Sequence, residues 1–284
     1  MTVRLPLRRP FDGEALLRFL AARALPGVEE VVDRTFRRSL RLPRGAGTVA
    51  LTIGEAEVRA TFRLADIRDL GPAVERCRRL CDLDADPEAI DARLRDDEII
   101  GSLVRAHPGR RVAGAVDGAE LALRAVLGQQ VTVAYAGVLA GRVLATSGER
   151  LERALGSVTH LFPTPAAVAE ADPTPWRLPA ARASAVKTLA AALADGSLGL
   201  DAGADPPEAQ ERLRALPGIG PWTAAYVGMR ALRDPDAFPA ADAGVRRGLA
   251  RLGRDGRPHA AERAAEAWRP YRAYAAQHLW DQSG

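Results

Sequence analysis

Asp242 is a candidate catalytic residue, because its carboxylate lies at the expected start of a helix. It lies in the segment FPAADAGVRR (238–247), in which the helical pattern begins at the aspartate. Aspartate is a common N-cap because its side chain accepts hydrogen bonds from the first free amides of a helix. A capping carboxylate can also face a cleft, where it can orient water or stabilise a developing positive charge. Arg246 and Arg247 lie one turn further and could meet a phosphate, although such arginines are more often solvated.

The segment LPGIG (216–220) predicts a tight turn between two helices. Gly218 and Gly220 flank Ile219, which we expect to fill the core of the hairpin. Glycine permits the positive φ angles that such a turn needs, and Pro221 suits the first turn of the following helix. The free backbone N–H groups at that helix start favour an anion such as a DNA phosphate. The alternative is a plain helical hairpin with a glycine turn and no ligand.

The elements that position these residues predict an α+β fold. Residues 2–7, two runs within 28–42, and residues 48–53 and 58–64 have strand patterns, whereas 13–25 and 66–81 have helical spacing. They indicate a small N-terminal antiparallel β-sheet with helices on one face. The acidic, proline-containing segment 82–89 is interpreted as a linker. We therefore predict an N-terminal domain over 1–86 and a second domain over 87–284.

From residue 87 onward the pattern indicates an all-α domain that is punctuated by proline and glycine. The hairpin and Asp242 both belong to this domain. Its predicted helices are 87–95, 96–106, 117–147, 149–157, 165–170, 182–195, 207–215, 221–232, 242–252 and 259–281.

Composition excludes several classes of protein. The chain has 284 residues, 47% hydrophobic residues and a formal net charge of +4, which is only weak support for a polyanionic partner. No run approaches the ~20 apolar residues of a membrane span, and the N-terminus has no signal-peptide pattern, so we expect a cytoplasmic protein. The two cysteines, Cys77 and Cys81, cannot alone supply the ligands of an iron–sulfur cluster. The four histidines show no metal-ligand spacing.

The hairpin and the aspartate segment occur together in one known family. LPGIGPWTA (216–224) followed by AADAGVRR (240–247) resembles the helix-hairpin-helix/Gly-Pro-Asp superfamily of DNA glycosylases. Four further segments are similar to its DNA-3-methyladenine glycosylase II, or AlkA-type, branch: FLAARA (19–24), ALRAVLGQQVTVA (122–134), FPTPAAVAEADP (162–173) and AERAAEAWRPYRAYAAQHLW (261–280). The resemblance covers almost the whole chain, including the N-terminal domain.

The resemblance implies a catalytic residue and a pocket for a base. Asp242 matches the family's catalytic aspartate. The residues that match pocket aromatics are Trp222, Tyr226 and Trp280, with Phe19 as an added N-terminal wall. Trp222 and Tyr226 are four residues apart and share a helix face, and an electron-rich ring attracts a positively charged base. The alternative is core packing, which we expect for Trp176, Trp268, Tyr271 and Tyr274.

The resemblance also implies the contacts with DNA. The matching residues are Gly218, Gly220, Ile219, Thr223, Gln129, Gln130 and Arg246. Gln130 takes the place of the residue that wedges into the duplex where the base leaves, which is leucine in some relatives. In the family, backbone carbonyls of such a hairpin can hold a Na⁺ or K⁺ ion that bridges to phosphate. By position these would be the carbonyls of Arg214, Leu216 and Ile219, and no other cofactor is expected.

The implied activity is that of a monofunctional glycosylase in base excision repair. Such an enzyme flips an alkylated base, such as 3-methyladenine or 7-methylguanine, out of double-stranded DNA. It then hydrolyses the N-glycosidic bond and leaves an abasic site. A relative that nicks the strand would carry a lysine for a Schiff base just after the hairpin. Trp222 stands there, and Lys187, the single lysine, belongs to a different predicted helix. Because the lesion is asymmetric, we expect a monomer associated with the nucleoid.

Two alternatives stay open on the sequence alone. The first is a glycosylase for deaminated or oxidised bases, because the shape of the pocket decides the lesion and sequence does not reveal it. The second is a non-catalytic helix-hairpin-helix protein that binds damaged DNA. Such a protein would lack a carboxylate that faces the flipped base.

Overall fold

Five antiparallel strands form the N-terminal part of the computed structural model, which describes residues 1–282. The strands are β1 (Thr2–Pro6), β2 (Glu29–Val32), β3 (Thr35–Leu42), β4 (Gly45–Ile53) and β5 (Glu57–Leu64), paired in the order β1-β5-β4-β3-β2. Helix α1 (Gly13–Ala21) connects β1 to β2, and α2 (Leu70–Leu80) follows β5 after a short 3-10 turn. The predicted antiparallel sheet with helices is confirmed.

Alternation of side chains explains why this sheet has one covered face. In β5, Val58, Ala60 and Phe62 are buried, whereas Arg59 and Arg63 between and beyond them are exposed. Successive side chains of a strand point to opposite faces, so the apolar set lies on one side. Helices α1 and α2 cover that side with side chains that include Leu16, Phe19, Leu20, Cys77 and Leu80.

The second part of the chain is largely helical. Its helices are α3 (Pro87–Leu94), α4 (Gly101–Ala106), α5 (Gly118–Leu127), α6 (Val133–Ser147), α7 (Pro165–Glu170), α8 (Ala180–Ala194), α9 (Pro206–Ala215), α10 (Pro221–Arg230), α11 (Ala243–Arg251), α12 (Pro258–Ala265) and α13 (Arg272–Asp281). Helices α5, α6, α8, α9 and α10 surround one core, and α3 and α4 share another with α11, α12 and α13. The predicted second domain runs to residue 284, so its last two residues lie outside the described part.

The predicted helix over 149–157 is wrong, and the second part is therefore not all-helical. The segment forms strand β6 (Glu149–Leu155), which turns at Gly156 (φ 63°) and pairs with β7 (Val158–Leu161). Leu151, Val158 and Leu161 form a small apolar cluster against the N-terminal sheet. Packing against the N-terminal sheet therefore favours strands here, although the local spacing of apolar residues predicted a helix.

Two long predicted helices are each divided. The predicted helix 117–147 breaks after Gly128, where Gln130 has a left-handed backbone (φ 57°) and Thr132 caps α6 through the amide of Tyr135 at 3.2 Å. The predicted helix 259–281 breaks at Pro270, because proline has no N–H and disfavours helical backbone in the residue before it. Both breaks change the direction of the chain next to residues that were predicted to bind DNA or line a pocket.

A buried group of four charges joins the sheet to α5. Arg38 of β3 donates to Glu29 and Glu120, at 2.7 Å each, and Arg124 donates to the same two carboxylates at 2.9 and 2.8 Å. Burial alone would raise the pKa of Glu29, but the guanidinium groups of Arg124 and Arg38 hold it below its ordinary value. We call these four residues the ionic quartet.

Breaking the quartet should strongly destabilise the protein. Arg38→Met leaves buried carboxylates without one partner, so we expect the free energy of unfolding to fall by about 3–5 kcal/mol at neutral pH. A carboxyl group whose pKa is lowered by folding stabilises the fold above its unfolded pKa and loses this effect as the pH falls. The difference in unfolding free energy between wild type and Arg38→Met should therefore become smaller when the pH falls below the ordinary glutamate pKa of 4.5. Urea unfolding at several pH values measures both quantities.

The matched control is Arg212→Met, which removes an exposed pair with Glu208 at 2.6 Å. Exposed pairs contribute little, so this change should cost less than about 1 kcal/mol. Equal effects of the two substitutions would contradict a structural role for the quartet.

Candidate functional site

The glycine turn between α9 and α10 is closed by one backbone bond and by packing. The amide of Ile219 donates to the carbonyl of Leu216 at 3.1 Å, and the Ile219 side chain is buried in the core as expected. Gly218 has φ 83°, and a Cβ there would lie 2.6 Å from that of Ala185 on α8. A Cβ on Gly220 would meet no atom of residues 1–282 within 4 Å. The turn therefore needs glycine at 218, whereas the open side of Gly220 leaves room for a ligand.

Several amides at this helix start point away from protein partners. Among residues 1–282, the backbone N–H groups of Gly218, Gly220, Trp222 and Thr223 donate no hydrogen bond. Together with the positive end of the helix dipole, such amides favour an anion. Thr223 is buried as a whole residue and its hydroxyl accepts a hydrogen bond from the Gln129 side chain, so it supports the hairpin from inside.

The two glutamines before α6 have different surroundings. The Gln129 side-chain amide donates to the carbonyl of Gly218 at 3.0 Å and to the hydroxyl of Thr223 at 2.9 Å. It therefore ties the start of α6 to the hairpin. Gln130 is exposed, lies at the rim of the cleft described below, and has the left-handed backbone of a turn.

Asp242 is held by four neutral donors. Its Oδ1 accepts hydrogen bonds from the amides of Gly244 and Val245, at 2.7 and 3.1 Å, as the N-cap of α11. The same oxygen accepts one from the indole Nε1 of Trp280, and Oδ2 accepts one from the indole Nε1 of Trp222, at 2.8 Å each. Asp242 can therefore cap α11 and face the cleft at the same time.

A cleft of about 1910 Å³ brings together the predicted aromatic residues and Asp242. Trp222 stacks on Tyr226 with ring centres 5.4 Å apart, and Trp280 stacks on Phe19 at 5.8 Å. Tyr226 and Trp280 join the two stacks at 6.1 Å. Phe19 reaches this cleft from α1, so the N-terminal part of the chain supplies one wall. Trp176, Trp268 and Tyr274 are buried elsewhere, as the core-packing alternative requires.

Asp242 differs from the other carboxylates of the cleft in its place beside the aromatic rings, where its four hydrogen-bond donors are neutral and Arg23 acts on it only through its charge. Among residues 1–282 that line the cleft, Glu29 and Glu120 belong to the ionic quartet and Asp281 pairs with Arg110. Asp117 caps α5. Asp242 alone combines a place beside the aromatic rings with donors that carry no charge, which is an arrangement suited to meeting a positive charge on a ligand.

Two arginines of the cleft were missed in the sequence. Arg23 follows α1 and lies over the Phe19 ring, and Arg230 of α10 lies between Phe19 and Tyr226. Both stand four residues after an aromatic residue of the cleft, and this spacing could have revealed them. Arg247 also lines the cleft, whereas Arg246 points to the carbonyl of Gly256 at 3.0 Å.

The groups that could bind metals are limited. Within residues 1–282 no three His, Cys, Asp or Glu side chains lie close enough together to hold a metal ion. Burial raises the pKa of the Cys77 thiol and raises that of Cys81 to about 12, so both stay protonated. The carbonyls of Arg214 and Leu216 lie at the end of α9, where carbonyls lack helical partners and the helix dipole favours a cation.

Lys187 lies outside the cleft. Its Nζ donates to the carbonyl of Ala171 at 2.8 Å. No helix in the described part of the chain has the length and hydropathy needed to cross a bilayer.

Comparison with known families agrees with this architecture. A family model described as the AlkA N-terminal domain matches residues 2–117. A second, described as HhH-GPD superfamily base excision DNA repair protein, matches residues 123–273. The chain therefore belongs to the HhH-GPD superfamily of base excision DNA repair proteins, and it carries the AlkA type of N-terminal domain.

Individual relatives extend over most of the chain. DNA-3-methyladenine glycosylase 2 of Escherichia coli is 36% identical over 282 residues, which cover 97% of this chain and 95% of that protein. The probable bifunctional transcriptional activator/DNA repair enzyme AlkA of Mycobacterium tuberculosis is 48% identical over 99% of this chain, but this chain spans only 56% of its length. The 3-methyladenine DNA glycosylase structure from Archaeoglobus fulgidus has the same fold, with a TM-score of 0.82 at 24% identity over 99% and 98% of the two chains.

The close contact between α11 and Trp280 predicts that a methyl group added at Gly244 will displace the indole. A Cβ on Gly244 would lie 2.7 Å from Cδ1 of Trp280 and 3.0 Å from Oδ1 of Asp242. We expect Gly244→Ala to shift the Trp280 indole N–H signal in ¹H–¹⁵N NMR spectra and to speed its exchange with water. The rest of the spectrum should stay that of a folded protein.

Gly71→Ala in α2 is the control, because a Cβ there meets no atom of residues 1–282 within 4 Å. It should leave all indole signals in place. An unmoved Trp280 signal in Gly244→Ala would rule out the tight packing that holds this indole against Asp242.

Proposed function

We propose that this protein is a monofunctional DNA glycosylase that removes alkylated bases from duplex DNA in base excision repair. The observation that carries the proposal is the position of Asp242, fixed by Trp222 and Trp280 on the wall of an aromatic cleft beside the glycine hairpin. The names of two relatives, which include 3-methyladenine glycosylase and DNA repair, support the same activity. The lesions would include 3-methyladenine and 7-methylguanine.

Cleavage of the N-glycosidic bond requires one negative charge close to the sugar. When the bond between C1′ and the base nitrogen breaks, its electron pair goes to the base and positive charge develops on the sugar. The Asp242 carboxylate stabilises this charge, and it can also orient the water that attacks C1′. A methylated base that is already cationic leaves as a neutral molecule, so no second carboxyl group is needed to protonate it.

The fixed orientation of Asp242 contributes to the rate. The two indole donors and two amides hold the carboxylate in place before the substrate binds. Little reorganisation then remains when charge develops on the sugar. The aromatic rings supply flat apolar walls for a base that has left the stack.

Contacts with the DNA backbone come from the hairpin. The free amides of Gly218 and Gly220 bind phosphate without reading the sequence, as a protein that scans for damage requires. Gln130 at the rim fills the gap that the flipped base leaves, and Arg247, rather than Arg246, is the arginine of α11 that faces the cleft. A Na⁺ or K⁺ ion on the carbonyls of Arg214, Leu216 and Ile219 would supply positive charge toward the same phosphate. The protein acts as a monomer on nucleoid DNA in the cytoplasm.

Asp242→Asn tests the role of the carboxylate. Asparagine caps a helix about as well as aspartate, but its NH2 group would face the indole N–H of Trp222 in place of an acceptor oxygen, so we expect a lower unfolding temperature. The variant should stay folded at the assay temperature and still bind DNA that contains 7-methylguanine. We expect the rate of base release, measured by chromatography, to fall at least about 100-fold. Asp205→Asn is the matched control, because Asp205 caps α9 through the amide of Glu208 at 3.0 Å. Base release at the wild-type rate by Asp242→Asn would remove this residue from the mechanism.

A trapping experiment tests whether the enzyme is monofunctional. Strand-nicking glycosylases form a Schiff base through an amine, which borohydride reduces to a stable adduct. Since the single lysine, Lys187, lies outside the cleft, incubation with alkylated duplex DNA and borohydride should trap no protein–DNA adduct. An adduct that is lost in Lys187→Ala would refute the proposal.

A further inference from the structure

Two helices from distant parts of the chain meet where Phe19 stacks on Trp280. Phe19 is on α1 and Trp280 is on α13, and their ring centres are 5.8 Å apart. Phe19 and Arg23, whose guanidinium carbon lies 3.7 Å from the Phe19 ring centre, form the inner wall of the cleft. Because the Trp280 indole donates to Asp242 at 2.8 Å, a displacement of either helix is transmitted to the carboxylate.

One buried guanidinium lies between the ends of these two helices. The Arg110 side chain is only 1% exposed, its Nη1 donates to Oδ2 of Asp281, and its Nη2 lies 3.4 Å from Oδ2 of Asp12. Asp12 is the N-cap of α1, where its Oδ1 accepts a hydrogen bond from the amide of Ala15 at 3.0 Å. Asp281 is the last residue of α13. Arg110 therefore connects the start of α1 to the end of α13.

The backbone next to Arg110 is fixed by close contacts. The Gly109 amide donates to the Asp91 carboxylate at 2.8 Å, and the Gly109 carbonyl accepts from the amide of Asp12 at 3.1 Å. A Cβ on Gly109, which has φ 73°, would lie 2.3 Å from the carbonyl carbon of Pro10. The guanidinium thus extends from a part of the chain that is itself held against the segment before α1.

Arg110 lies outside the cleft, so it can act on a reaction there only through other residues. Asp281, in contrast, lines the cleft and directly follows Trp280 in the chain. The ion pair fixes the backbone beside the indole that holds Asp242. It also neutralises a carboxylate that would otherwise add negative charge to a surface that faces DNA.

We infer that Arg110 is a positioning residue for base excision, which keeps the Trp280 indole and hence Asp242 in the orientation that the reaction needs. This inference rests on the proposed glycosylase function. The contribution belongs to the step in which positive charge develops on the sugar, because a carboxylate that is not held must reorganise at that moment. Contacts of the hairpin with phosphate do not depend on it.

The test separates the rate of base release from DNA binding. Single-turnover rates at saturating enzyme and dissociation constants are measured for wild type, Arg110→Gln and Arg110→Lys on a duplex that contains 7-methylguanine. Since a displacement of about 1 Å can lower a rate about 100-fold, we expect Arg110→Gln to lower the rate at least about tenfold, with little change in DNA affinity. Arg110→Lys keeps the charge but not the planar set of donors, so its rate should lie between the other two.

Two further measurements distinguish positioning from a merely structural role. Arg110→Gln should shift the Trp280 indole N–H signal in ¹H–¹⁵N NMR spectra of folded protein. Asp281→Asn should lower the rate less than Arg110→Gln, and the double variant should lose less than the product of the two single losses, because both residues act through one contact. Asp281 is partly exposed, so Asp281→Asn keeps the inference testable even if Arg110→Gln does not fold.

Arg272→Gln is the matched control. It breaks an ion pair of the same helix, with Asp236 at 2.8 Å, but at the opposite end of α13 from Trp280. It should lower the unfolding temperature and leave the rate of base release and the Trp280 signal unchanged.

The outcomes separate the inference from the function on which it rests. A wild-type rate in Asp281→Asn, an unmoved Trp280 signal in folded Arg110→Gln, or independent losses in the double variant would overturn the role of Arg110 and leave the proposed glycosylase intact. A wild type that releases no 7-methylguanine would instead overturn the proposed function.

Discussion

Two indole N–H groups that converge on one carboxylate constrain the whole helical part of this protein. Trp222 is on α10 and Trp280 is on α13, and both donate to Asp242 at the start of α11. Three helices must therefore keep their relative positions for the two bonds to form together. The glycines of α11 allow this, because a Cβ on Gly248 would lie 2.4 Å from the carbonyl oxygen of Leu279 on α13. Close backbone contact between α11 and α13 thus sets where the carboxylate stands.

The N-terminal sheet is joined to this arrangement by charges and by one helix. The ionic quartet connects β2 and β3 to α5, and Arg124 of the quartet also donates to the backbone carbonyl of Arg23 at 2.6 Å. Arg23 lies over Phe19, which stacks on Trp280. Contacts therefore run without interruption from the sheet to the indole that holds Asp242. A domain that contributes no carboxylate to the reaction still determines the shape and the charge of the cleft.

Features that depend on neighbouring residues were readable from sequence, and features that depend on distant ones were not. The cap at Asp242 and the turn at Gly218 follow from local backbone requirements, so both were predicted at the correct positions. The strands β6 and β7 pair with each other, but they were missed because their apolar side chains pack against a sheet built from residues far away in the chain. The contact of the Gln129 side chain with Gly218 and Thr223 was not foreseen, because it depends on the turn before α6. Arg246 and Arg247 are neighbours in α11, so their side chains point about 100° apart around the helix axis. The sequence did not reveal how α11 is rotated, and therefore not which of the two faces the cleft.

The position of Phe19 on α1, and of Arg23 just after that helix, has a consequence for how such enzymes diversify. If a gene exchanged the segment that encodes its N-terminal sheet with that of a related gene, the hybrid would inherit Asp242, the hairpin and both tryptophans unchanged. It would acquire a different inner wall at the same time. The inner wall and the reacting carboxylate are thus carried by separate stretches of one gene, but a new wall must still pack on Trp280 if Asp242 is to keep its place.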